Sequence, residues 1–141
     1  MRVQRLGDNA HEVALYEGPG RIDLEWYFQQ TTALPSSVMR YRLEPGAAEG
    51  EHLHLEGDDA SCSPNSSDEL YVVTAGELVV TSGEHRRLLR SGDAFYAPAG
   101  LVHGVRNESD AVAEMILVFG TPTGNPFPQS GEEAFSMDTD R

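Results

Sequence analysis

Nowhere between Arg21 and Phe119 does the chain hold a helical period long enough to fold a helix, and this limits its architecture more than any other feature. It alternates instead. Ile22, Leu24, Trp26 and Phe28 fall on one side of an extended run, with Asp23, Glu25, Tyr27 and Gln29 on the other, the pattern of a half-buried strand. A second run from Ser37 to Glu44 sets Met39, Tyr41 and Leu43 against Val38, Arg40 and Arg42, and Pro45-Gly46 ends it in a turn. Further strands are expected at about 50–54, 69–74, 77–82, 85–90, 94–97, 102–106 and 112–119. Ser82-Gly83 and Ser91-Gly92-Asp93 read as tight hairpin turns, and residues 1–20 as an edge strand followed by a Gly18-Pro19-Gly20 turn. Trp26, Phe28, Phe95 and Phe119 are assigned to the core. The expected class is all-β, a sandwich or barrel.

One domain accounts for all 141 residues. Twenty-three acidic residues against ten basic ones give a net charge of −13, which argues against nucleic acid or an anionic membrane as partner. Small molecules and proteins remain. The single cysteine, Cys62, excludes an intrachain disulfide. With no apolar leader and no apolar run of membrane-spanning length, the expected location is cytoplasmic.

Within this frame three histidines and a glutamate stand at metal-binding spacings. His52 and His54 are two apart, so on a strand both imidazoles leave one face. Glu69 opens the β-rich run Glu-Leu-Tyr-Val-Val-Thr-Ala-Gly, and His103 follows a Pro98-Ala99-Gly100 turn. Strands closed into a small barrel bring all four side chains to one interior point. Glu56 competes with Glu69 for the carboxylate position, since it shares the His52 and His54 face if the strand continues. Gly57 directly after it signals that the strand is ending, so Glu69 is preferred.

Gly46, His52, His54, Glu69 and Gly76, followed by Gly92, Pro98, Gly100, His103 and Asn107, resemble the two motifs of the cupin superfamily. The match departs at one place: fourteen residues separate His54 from Glu69, where the family pattern has three or four. The resemblance implies a double-stranded β-helix (cupin or jelly-roll) barrel over about 21–120 with one metal inside, and a homodimer paired through sheet edges. Three neutral imidazoles and one carboxylate suit one divalent transition metal per chain, Fe(II) first, with Mn(II), Ni(II), Co(II) or Zn(II) admitted by the same donors. In octahedral geometry two positions stay open.

Strand alternation turns Tyr71 and Val73 inward with Glu69. Tyr71 then donates to substrate or to an oxygen on the ion, or simply fills the core; Glu69 and Tyr71 are the candidate catalytic pair. Arg40 and Arg42 face solvent by default and clamp an anion only if turned inward. Cys62 has no partner motif and reads as an unligated loop thiol. Residues 55–68 are a loop by composition, either a tolerated insertion or a lid over the site, and 121–141 read as an extended or flexible tail. Three functions follow in order: an oxidoreductase of the dioxygenase type acting on a small organic molecule, a non-redox isomerase, lyase or cyclase using the metal as Lewis acid, and a binding or sensing module.

Overall fold

A computed structural model describes residues 1–29, 31–53 and 68–119. Ten strands occur among them: β1 (Ala10–Val13), β2 (Ile22–Trp26), β3 (Ser37–Leu43), β4 (Ala48–His52), β5 (Glu69–Ala75), β6 (Glu77–Ser82), β7 (His85–Arg90), β8 (Ala94–Ala97), β9 (His103–Arg106) and β10 (Ala113–Phe119). They form a six-stranded sheet, ordered β1-β2-β3-β10-β5-β8, and a four-stranded sheet, ordered β4-β9-β6-β7. Every strand pairing among the described residues is antiparallel. The expected all-β class is what forms. No helix among the described residues is long and apolar enough to cross a membrane.

Alternation does most of the work. β3 and β10 bury every second residue, and Leu117 on β10 lies between Met39 of β3 and Tyr71 of β5. Leu78, Val80 and Val105 of the smaller sheet close the core from the other side. Each fully buried side chain of this size contributes about 1.5–3 kcal/mol. The remaining element of the second motif is also structural: buried Asn107 donates Nδ2 to the carbonyls of Leu43 (2.9 Å) and Ala111 (2.7 Å), tying the end of β9 to β3.

Four expectations change. Glu25 does not face solvent; it is 1% exposed because residues 4–9 fold over it. Its carboxylate accepts from Gln4 Nε2 (2.7 Å) and the amides of Gly7 (3.0 Å) and Asn9 (3.1 Å), so a charge that alternation puts outside is satisfied inside. Phe28 is not core: β2 stops at Trp26, and Phe28 takes φ +49 in the turn beyond, with the Arg2 guanidinium 5.6 Å from its ring centre. Trp26 and Phe95 pack on the core only partly buried, whereas Phe119 lies within it. Ser91-Gly92-Asp93 does turn, but it carries the chain from β7 in one sheet to β8 in the other; the tight hairpin is the one at Gly83-Glu84. Arg40 and Arg42 take the outward face, paired with Glu114 (2.5 Å) and Glu44 (2.5 Å) respectively.

Candidate metal centre

β4 and β9 lie side by side with His52 opposite His103. Simple alternation along β4 would place Glu49 on the face opposite His52. The register slips between Glu49 and His52, however, and this irregularity brings the Glu49 carboxylate round to the histidines. One ligand atom from each of Glu49, His52 and His103 lies within 4.8 Å of the others. Two donors at about 2.2 Å from one ion stand at most about 4.4 Å apart, so a small closure of the three suffices.

β5 delivers the fourth group from the opposite sheet. Glu69 Oε2 is 2.7 Å from His103 Nε2 and 3.8 Å from His52 Nε2, and Glu49 Oε1 is 3.7 Å from His52 Nε2. Tyr71, two residues on and 1% exposed, points its hydroxyl at the same spot: 2.8 Å from Glu69 Oε2, 3.0 Å from Glu49 Oε1 and 2.9 Å from His103 Nε2. Asp68 fixes the approach of β9 from outside. It accepts from the Ala99 amide (2.9 Å) and the Tyr96 hydroxyl, holding the turn that delivers His103.

Backbone carbonyls set both imidazoles. Nδ1 of His52 lies 2.8 Å from Gly50 O, and Nδ1 of His103 lies 2.9 Å from Leu101 O. Each Nδ1 therefore carries the proton and donates it, leaving Nε2 of the neutral ring to offer a lone pair to the cluster. Two such nitrogens beside two carboxylates are a donor set that a divalent transition metal accepts.

Without a cation the cluster must hold protons. For His103, burial works against the charged ring, but the hydrogen bonds to Glu69 and Leu101 and the fields of Glu69 and Glu49 outweigh it, and its pKa stands above the ordinary imidazole value. Burial raises Glu49 above the ordinary carboxylate value, against the pull of His52. Burial, then the negative fields of Glu49 and Glu69, push Tyr71 well above the usual phenol range, so it stays a donor.

One wall of the centre comes from the N-terminal segment. The Tyr16 ring stacks on His52 at 3.6 Å between centres and 6° between planes. Tyr16 and Glu17 both hold left-handed backbone, φ +50 and +58, a conformation costing about 1–3 kcal/mol per residue outside glycine. The segment is tied to the free edge of β4 by Gly50 N to Leu15 O (3.1 Å) and Ala48 N to Pro19 O (2.9 Å). A Cβ on Gly50 would sit 1.9 Å from the Tyr16 carbonyl oxygen. Gly50→Ala is therefore expected to lift residues 15–18 off β4 and cost about 1–3 kcal/mol, the range for overpacking, in denaturant unfolding. An unchanged midpoint would show that the contact is slack.

The structure thus brings together His52, His103, Glu69 and Tyr71. His54, Glu56, Cys62, residues 55–67 of the inserted loop and the 121–141 tail lie outside the described residues. Glu49 and Tyr16 were not singled out by the sequence. Gly50 inside a strand was the available signal for Glu49, because an interior glycine often marks a bulge.

The cupin-domain family profile matches residues 39–119, more than half of the chain. The protein belongs to the cupin family. An uncharacterized protein of Streptomyces coelicolor is 26% identical to this cupin over 122 residues, 86% of this chain and 98% of the other. Among solved structures, a predicted oxalate decarboxylase from Thermotoga maritima superposes with a TM-score of 0.70 at 20% identity, covering 86% of this chain and 99% of its own. A cupin 2 conserved barrel domain protein from Salinispora arenicola gives 0.67 at 22% identity, covering 89% and 92%. The two antiparallel sheets of this cupin form the double-stranded β-helix of such proteins. The superfamily includes enzymes, and Glu49, His52 and His103 of the cluster described above form a candidate metal site.

Proposed function

We propose that this cupin is a metal-dependent enzyme acting on a small organic molecule, with His52, His103 and Glu69 as ligands, Glu49 as a further carboxylate donor, and His54 completing the set from outside the described residues. The observation that carries this reading is the convergence of two Nε2 lone pairs, each fixed by an Nδ1 hydrogen bond to a backbone carbonyl, on two buried carboxylates. A bound divalent ion supplies Lewis-acid polarisation of a substrate oxygen or, if redox-active, a place for O2.

The chain's own groups favour proton transfer. Tyr71 keeps its proton at neutral pH and sits within hydrogen-bond reach of both Glu49 and Glu69, so a proton can be held at Tyr71 Oη and passed to or from either carboxylate. This favours the non-redox lyase or isomerase reading, and the Thermotoga protein's name belongs to the same reaction class. The dioxygenase reading, with Fe(II), rests on the family resemblance. Metal analysis of the purified protein, followed by turnover of a panel of keto acids and catechol-like compounds with and without O2, decides between them. O2 consumption stoichiometric with product would establish the oxygenase.

Tyr71→Phe tests the proton role. Metal content is expected to persist while kcat falls about 10²–10⁴-fold, the usual worth of a positioned acid or base. Loss of metal together with activity would instead make Tyr71 a support for the ligands. A small-molecule substrate, rather than nucleic acid or membrane, as partner, and pairing of two copies through sheet edges, belong to the same proposal; light scattering in solution tests the second.

A further inference from the structure

Residues 15–19 cross the free edge of β4 in direct backbone contact. A Cβ on Gly18 would sit 2.0 Å from the Ala48 carbonyl oxygen, just as one on Gly50 would strike that of Tyr16. Gly50 is the junction. Its amide donates to Leu15 O, and its carbonyl lies 2.8 Å from Nδ1 of His52. The segment thus reaches His52 by two routes, through Gly50 and through the Tyr16 ring lying flat on the imidazole. Tyr16 stays 42% exposed, so its own burial offsets little of the strain in two left-handed residues. Strain of this kind persists where the surrounding structure over-determines it, and it clusters where a site needs fixed geometry.

We infer that Tyr16 is a positioning residue for the ion, and that docking of residues 15–19 on β4 and occupancy of the metal centre reinforce each other. The torsion that turns an imidazole about its Cβ–Cγ bond is broad, so one hydrogen bond at Nδ1 leaves the ring room to swing. A flat neighbour at 3.6 Å removes that freedom and keeps Nε2 turned to Glu69 and Glu49, whose oxygens lie 3.8 and 3.7 Å away. An imidazole that coordinates a cation gains positive charge, and the electron-rich face of a phenol ring then attracts it more strongly. Whatever factor the docked segment adds to metal affinity, the metal adds to docking. This coupling rests on the proposed metal-dependent reading and goes beyond it in making residues 15–19 part of what sets metal affinity.

Zinc titration of the full chain and of its Tyr16→Phe and Tyr16→Leu variants tests this. Tyr16→Leu keeps an apolar side chain without a flat face and is expected to weaken zinc about tenfold, the lower end for losing an outer partner of a ligand. Tyr16→Phe restores the face and should stay within about twofold of the parent. In the parent, saturating zinc should slow hydrogen exchange of the Gly50 amide about tenfold, and by more than it slows the amides of β7 at the opposite edge of the same sheet. In chelator, 15N spectra of the histidine rings should show His52 as the Nδ1–H tautomer in the parent and in Tyr16→Phe, and as an averaged ring in Tyr16→Leu. Zinc bound as tightly by Tyr16→Leu as by the parent, equal losses in both variants, or a Gly50 amide indifferent to zinc each overturns the coupling and leaves the metal reading in place. A parent that takes up no zinc removes the metal reading and the coupling with it. A His52 ring that then averages only in Tyr16→Leu keeps Tyr16 as the residue that positions it, and a ring unchanged in both variants removes that role too.

Discussion

His103→Ala is expected to lower metal affinity at least about 100-fold, the upper end of what removing even an outer partner of a ligand costs. His103 is the best placed of the proposed ligands: 1% exposed, fixed through Nδ1 to Leu101, and within 2.7–2.9 Å of both Glu69 and Tyr71. Its loss leaves two carboxylates facing each other across a cavity with one fewer neutralising group. The metal-free variant should therefore unfold more easily at neutral pH than the metal-free parent, even though an imidazole replaced by methyl removes a polar group from the core. Isothermal titration with zinc and elemental analysis after dialysis read the first effect; thermal melting in chelator reads the second. Full zinc occupancy in the variant would falsify the assignment of His103 as a ligand.

The second large effect is on pH, and its sign reverses with metal. The folded-state pKa of His103 is raised, so the stability it contributes is fully present below its unfolded value near 6.5 and disappears as pH rises through the folded value. Glu49 is also raised, so its protonated form stabilises at acid pH and that contribution is lost as pH climbs past its ordinary carboxylate range. Metal-free protein should accordingly lose thermal stability as pH rises above about 6.5 through the folded value of His103, after an earlier loss from Glu49 that begins above the ordinary carboxylate range. A divalent ion must displace the proton that His103 holds, so its affinity should rise over the same interval, by up to about tenfold per pH unit for each proton released. Melting curves at about pH 6 and pH 8, with chelator and with saturating zinc, give the comparison. An increment from zinc that is no larger at pH 8 than at pH 6 would mean that the cluster carries no displaceable protons.

Most of the barrel could be read directly, because inward positions in β3, β5 and β10 alternate without interruption and turn residues mark the ends. What resisted reading lies where a tertiary contact overrides the period of two. Glu25 looks solvent-facing until residues 4–9 supply three donors. Glu49 looks opposite to His52 until the register slip in β4 turns it. Tyr16 could not be found by any local pattern, since its place depends on two left-handed residues and on the absence of a side chain at Gly50, thirty-four positions away. Glu69, Tyr71 and His103 could be proposed as a group because each sits on a regular strand whose inward face its apolar neighbours announce.

The stretch that carries family membership begins at residue 39, yet the ring lying flat on His52 comes from residue 16. The proposed ligands and the wall thus come from separate parts of the chain. Changing the short N-terminal turn would exchange the wall while the stretch that matches the family, with the proposed ligands His52, Glu69 and His103, stays as it is. Grafting residues 39–119 alone onto another protein would transplant the ligand strands with the β4 edge bare and the His52 ring exposed on the side that Tyr16 now covers, and a bare edge is a template for pairing with another chain.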